Sequence, residues 1–126
     1  MYLNNKVSMN RRLRQLLRKQ DLDPTAIYEV RCEGNDPNED AFDAVDRHIR
    51  ILGGERRVGW YIKPGTKSKQ PWLFEFHCVL LRPDNTLVDL VGDKGGCIAF
   101  IEDPNLRSAK RADLPEILNN TYTSIK

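Results

Sequence analysis

His77 and Asp89 are the side chains whose types and spacing point most directly to acid–base chemistry. They flank Pro83-Asp84-Asn85, a run suited to a three-residue hairpin loop: proline presets the first position and asparagine tolerates the left-handed one. That loop pairs Arg82 with Thr86, hence Val79 with Asp89 and His77 with Val91. His77 and Asp89 then become diagonal neighbours on one face, roughly 7 Å apart at the backbone and within side-chain reach. Strand alternation puts Glu75 on the same face, and a loop one residue longer or shorter would separate the pair. Val79, Leu81, Leu87 and Val91 share this face, while Phe74, Phe76, Cys78, Leu80, Val88 and Leu90 share the other. A hairpin apolar on both faces is central and covered. Ionisable groups in such a place need partners, because losing one member of a buried pair costs about 3–5 kcal/mol. A structural His–Asp pair is one outcome; a functional site is the other.

The elements that must position these groups follow from periodicity. Leu13, Leu16 and Leu17 make a narrow apolar stripe and predict a basic helix over 10–20, ended by Asp21 to Pro24. Residues 26–31 alternate weakly, as a short strand or extended entry. Asp36 as N-cap, Pro37 at the first position and Glu39 three residues after the cap predict a helix over 37–52. Its apolar face is Phe42, Val45, Ile49 and Leu52, and Gly53-Gly54 stops it. The period then becomes two. Strands are expected at 57–62, 72–81, 86–91 and 97–101, with a flexible basic connection at 63–71 and a turn at 92–96. Asp113 can cap a short helix over 114–119. The expected fold is α+β: a central antiparallel sheet of about four strands packed by the helix at 37–52, in a single domain over 1–126.

Composition narrows the classes of function. Apolar residues at 40% and charged residues at 30% are normal for a folded chain. The uncharged runs are too short to cross a bilayer, and the N-terminal region lacks the apolar core of a secretory signal, so no membrane role is expected. Three widely spaced cysteines, Cys32, Cys78 and Cys97, speak against a disulfide framework and fit a reducing, cytoplasmic setting. Cys78 reads as a core residue, Cys97 as a core residue or one that lines the site, and His48 as a boundary side chain on the second helix. Cys32, Glu75, His77 and Asp89 are chemically suitable zinc ligands. With two histidines in all and no ligand pair at helical or knuckle spacing, neither metal nor cofactor is expected. Arg11, Arg12, Arg14, Arg18 and Lys19, with Lys63, Lys67 and Lys69 near Trp60, Tyr61 and Trp72, allow weak nucleic-acid contact through phosphates and stacking.

Cys32-Glu-Gly-Asn35, Gly53-Gly54, Gly59-Trp60, Glu75-Phe-His77 and Leu87-Val-Asp89 occur in an order that resembles small papain-like cysteine amidohydrolases, in particular the N-terminal glutamine amidohydrolases. The run also resembles that of a group of small bacterial proteins which ends in a strand like Ile98-Ala-Phe-Ile-Glu-Asp103. The resemblance spans about residues 28–103 through short motifs. It implies a papain-like core, with Cys32 as nucleophile, His77 as its base, Asp89 orienting the imidazole, and Asn35, Trp60 and Glu75 about the substrate. The substrate would be a glutamine-type or peptide amide, and the Cys32 backbone N–H would help to hold the oxyanion. Papain-like enzymes usually carry the cysteine on the first turn of a helix, where the dipole favours thiolate; here Asp36-Pro37 falls four or five residues after Cys32. A non-catalytic interaction module with a structural His–Asp pair is the alternative, and a nucleic-acid-binding protein the third.

Overall fold

The computed structural model of the chain describes residues 2–34, 38–67, 70–92, 94–106 and 124–125. In order they form α1 (Arg11–Lys19), β1 (Ile27–Cys32), α2 (Ala41–Leu52), β2 (Glu55–Lys67), β3 (Gln70–Leu81), β4 (Leu87–Asp89), β5 (Cys97–Glu102), a single 3-10 turn (Pro104–Leu106) and β6 (Ser124–Ile125). The expected helix at 114–119 and its cap Asp113 lie outside the described residues, as do Asn35, Asp36 and Pro37.

The fold is α+β, as expected, but the sheet is larger than four strands and is not wholly antiparallel. Its order is β2-β5-β1-β4-β3-β6, and β2 also pairs with β3, so five strands close into a small barrel with β6 added beside β3. The strand at 27–32 supplies the missing stave. It runs antiparallel to β5 but parallel to β4, with Arg31 opposite Val88 and Cys32 opposite Asp89. The described part of the 63–71 stretch, expected as a flexible connection, is strand. β2 and β3 continue through it with Lys63 opposite Leu73 and Pro64 opposite Trp72, and only Ser68 and Lys69 between the strand ends fall outside the described residues.

Alternation divides the strand side chains into two buried sets. Val58, Trp60, Ile62, Phe74, Phe76, Cys78, Leu80, Val88 and Ile101 pack against Leu13 and Leu17 of α1 and Phe42 and Val45 of α2. The opposite set, Tyr28, Val30, Val79, Leu81, Leu87, Ile98 and Phe100, contains no helix residue and is equally buried. Those side chains are covered by one another across the closed ring, so they are the barrel interior, and the helices pack outside it.

The helices form where their buried faces begin. The Asn10 side chain accepts from Leu13 N–H at 2.9 Å to cap α1. Helix α2 starts at Ala41, not Pro37: Asp40 caps it, accepting from Phe42 N–H at 2.8 Å and Asp43 N–H at 3.2 Å. Two aspartates compete for this role, and the one next to the buried run Ala41, Phe42, Ala44, Val45 wins, because docking that face stabilises the helix more than propensity does. Gly53 and Gly54, both at positive φ, end the helix as the sequence suggests.

Candidate active site

The hairpin register is the expected one. Arg82 N–H donates to Thr86 O, Leu81 pairs with Leu87 and Leu80 with Val88, with Asn85 left-handed at φ 73°. Continued one step, that register faces Val79 with Asp89 and leaves His77 diagonal to it. The side chains meet: His77 Nε2 lies 3.2 Å from Asp89 Oδ1, both residues buried. Asp89 Oδ1 also accepts from Val91 N–H at 3.1 Å. That turn of the carboxylate onto its own backbone ends β4 at Asp89 rather than at Val91.

Cys32 arrives from the parallel side. Its backbone is held on both edges: Cys32 N–H donates to Gly96 O at 2.8 Å, Gly95 N–H donates to Cys32 O at 3.0 Å, and Glu33 N–H donates to Asp89 O at 2.7 Å. The thiol donates to Asp89 Oδ2 at 3.5 Å. The carboxylate therefore stands between thiol and imidazole, holding each with a different oxygen. Cys32 ends a strand rather than opening a helix, and α2 begins nine residues later. Its main-chain N–H, expected to help hold an oxyanion, is already spent on Gly96.

These groups line a cavity of about 320 Å³ with Tyr61, Glu75, Val91, Gly92, Gly96, Cys97 and Ile98. Gly92, at φ 90°, forms part of the wall: a Cβ there would stand 3.4 Å from the Cys32 sulfur. Glu75 is exposed at the rim and ion-paired to Lys63 at 2.5 Å.

Two expectations about individual residues need correction. Trp60 does not border the cavity. It belongs to the opposite buried set, where its indole N–H donates to Asp103 at 3.2 Å. The residue on the site's face is its neighbour Tyr61, half-buried, its ring 6.0 Å from that of His77. Alternation carries this information, because Gly59 pairs with His77 and Tyr61 with Glu75. Cys97 is exposed and borders the cavity rather than filling the core. Cys78, by contrast, is fully buried, and burial pushes its thiol pKa up from 9.0.

Asn35 lies outside the described residues. The basic side chains Arg11, Arg12, Arg14, Arg18 and Lys19 are all exposed on α1, away from the cavity. Among the described residues, no group of three or more His, Cys, Asp or Glu is placed to hold a metal ion, and no helix is long and apolar enough to cross a membrane. Comparison with protein-family models, curated proteins and solved structures gives no match.

Proposed function

We propose, from the site geometry alone, that this chain is a cysteine-dependent amide hydrolase acting on a glutamine-type or peptide amide through Cys32, His77 and Asp89. The observation that carries the reading is the convergence of thiol, imidazole and carboxylate, from three strands, on one cavity of about 320 Å³. That volume is in the range of small-molecule sites and suits a carboxamide with its nearest substituents.

In the resting site Cys32 is a thiol donating to Asp89. Its proton moves to the imidazole, giving a thiolate, a carboxylate and an imidazolium. The net charge of the three groups is −1 before and after, so the transfer brings no new net charge into a desolvated site. The thiolate attacks the carbonyl carbon and the π pair moves to oxygen. On collapse the C–N bond breaks, and the amine or ammonia leaves with the proton from His77. Water then attacks the thioester, releasing the acid and restoring the thiol. The papain-like relationship belongs to this proposal. Its support is the order Cys32, His77, Asp89 on a sheet. Since Cys32 is not at a helix N-terminus, His77 must supply the positive charge that favours thiolate. Three cysteines, widely spaced and odd in number, are in keeping with a reducing, cytoplasmic setting.

A second reading is favoured by one observation: the thiol proton is held by a carboxylate, as in a purely structural buttress. The protein would then be a binding module whose cavity does no chemistry.

The two readings predict opposite orders of thiol reactivity. Cys97 is exposed, whereas Cys32 is 4% exposed, so accessibility alone favours Cys97. With the triad at work, iodoacetamide at neutral pH alkylates Cys32 first, and His77→Ala reverses the order by removing the imidazolium. Mass spectrometry of the labelled protein reads the result. Slow and equal labelling of Cys32 in the wild type and His77→Ala would sink the enzyme reading and promote the module.

A further inference from the structure

Acyl transfer to a thiol builds negative charge on the carbonyl oxygen, and fixed donors aimed at that oxygen are usually the largest single source of rate. The Cys32 amide cannot serve, because it is bonded to Gly96 O. The cavity wall offers a carboxylate at Glu75 and apolar groups at Val91 and Ile98, but one residue with a neutral hydroxyl, Tyr61.

Tyr61 is held in place from three sides. Its backbone pairs with Glu75 of β3 and with Phe100 of β5. Its ring packs on the barrel-interior cluster and stands beside the His77 ring. The Lys63 ammonium lies 5.1 Å above its ring centroid. Gly59, two residues earlier and paired with His77, lets the β5 backbone approach closely: a Cβ there would stand 2.0 Å from Ile101 O. Burial chiefly pushes the hydroxyl's pKa up. Lys63 opposes this, while Cys32, Glu75 and Asp89 add to it, so the group keeps its proton, and the bond it donates strengthens when the acceptor becomes an anion.

We infer that Tyr61 is a catalytic residue that donates a hydrogen bond to the carbonyl oxygen as the Cys32 sulfur attacks. This rests on the amide-hydrolase reading above. The proton stays on Tyr61 throughout; the hydroxyl shortens its bond to the oxyanion and relaxes when the carbonyl re-forms.

The test compares two reagents on the same sulfur. Iodoacetamide alkylates by displacement at a saturated carbon and forms no oxyanion. p-Nitrophenyl acetate acylates: the S–C bond forms, a tetrahedral oxyanion intervenes, and the C–O bond to nitrophenolate breaks. Tyr61→Phe, which removes one oxygen atom from a half-buried ring, is expected to leave alkylation of Cys32 within about twofold while slowing its acylation about 10²-fold or more. Intact alkylation also certifies that the site is still folded. Acylation unchanged in Tyr61→Phe, or acylation and alkylation falling together, would overturn the assignment. Failure of the wild type to acylate at Cys32 would instead remove the hydrolase reading, and this inference with it.

Discussion

Replacing Asp89 with asparagine separates two ways in which Cys32 could become a nucleophile. Asp89 Oδ2 lies 3.5 Å from the sulfur and Oδ1 lies 3.2 Å from His77 Nε2. If the thiol ionised alone, beside a neutral imidazole, the carboxylate would oppose it by about 5 kcal/mol at an effective dielectric of 20 and about 1 kcal/mol in bulk water. Removing that charge would then raise the thiolate population, and the alkylation rate, by roughly fivefold to several thousandfold. If the proton moves to His77, Asp89 repels the thiolate but attracts the imidazolium across almost the same distance. The two effects differ by only about 0.4 kcal/mol at the same dielectric, so Asp89→Asn changes alkylation by no more than about twofold. The hydrolase reading therefore expects near-constancy for Asp89→Asn beside a large loss for His77→Ala. Second-order rates with iodoacetamide at pH 7, on folded protein, decide it. An acceleration of tenfold or more in Asp89→Asn would refute the internal proton transfer.

Two further outcomes concern the scaffold. Gly59→Ala places a Cβ 2.0 Å from Ile101 O and 2.8 Å from Glu102 Cα, so β2 and β5 must part; a loss of about 3 kcal/mol or more is expected in urea unfolding, and an unchanged midpoint would contradict the tight approach of the two strands. The Tyr2 hydroxyl is pushed up from 10.0 to about 12, first by burial and then by its bond to Glu102. Above about pH 10 the unfolded chain thus binds fewer protons than the folded one. The contribution to stability is full below pH 10 and is lost as pH rises towards 12. Tyr2→Phe should flatten the decline over that interval in urea titrations at stepped pH, while the part due to Cys78, which begins near its ordinary 9.0, persists.

The local half of the site was readable from sequence, because one turn controls it. Pro83 and Asn85 specify a loop length, the loop length specifies a register, and the register brings His77 to Asp89. The position of Cys32 was not readable from periodicity or turns; only the motif resemblance set it beside His77 and Asp89. That position depends on a parallel pairing between β1 and β4, strands 57 residues apart at Cys32 and Asp89, and parallel partners leave no turn chemistry to read. Barrel closure was hidden for the same reason. A strand of weak alternation, residues 26–31, gave no sign that it would join β5 on one edge and β4 on the other. The error at Asp36 came from a cap signature that a later aspartate shares, and burial of Ala41 and Phe42 decided between them. The choice of Trp60 over Tyr61 followed a motif where strand parity would have served better.

The single parallel pair in the barrel also sets the order in which the site can come into being. The 75–91 hairpin closes a short loop, and contacts of that kind form within microseconds. Cys32 meets the hairpin only when β1 slots between β4 and β5. The Asn4 side chain then stitches the first residues of the chain across the seam, accepting from Leu87 N–H at 2.7 Å and donating to Glu29 O at 3.0 Å and Leu87 O at 2.9 Å. Contacts so distant in sequence come late, since the entropy of closing the loop must be met before they return anything. An incompletely folded chain therefore holds an assembled imidazole–carboxylate pair and a thiol that is still an ordinary cysteine. On the hydrolase reading, nucleophilicity is acquired last, and the labelling rate of Cys32 would serve as a clock for ring closure.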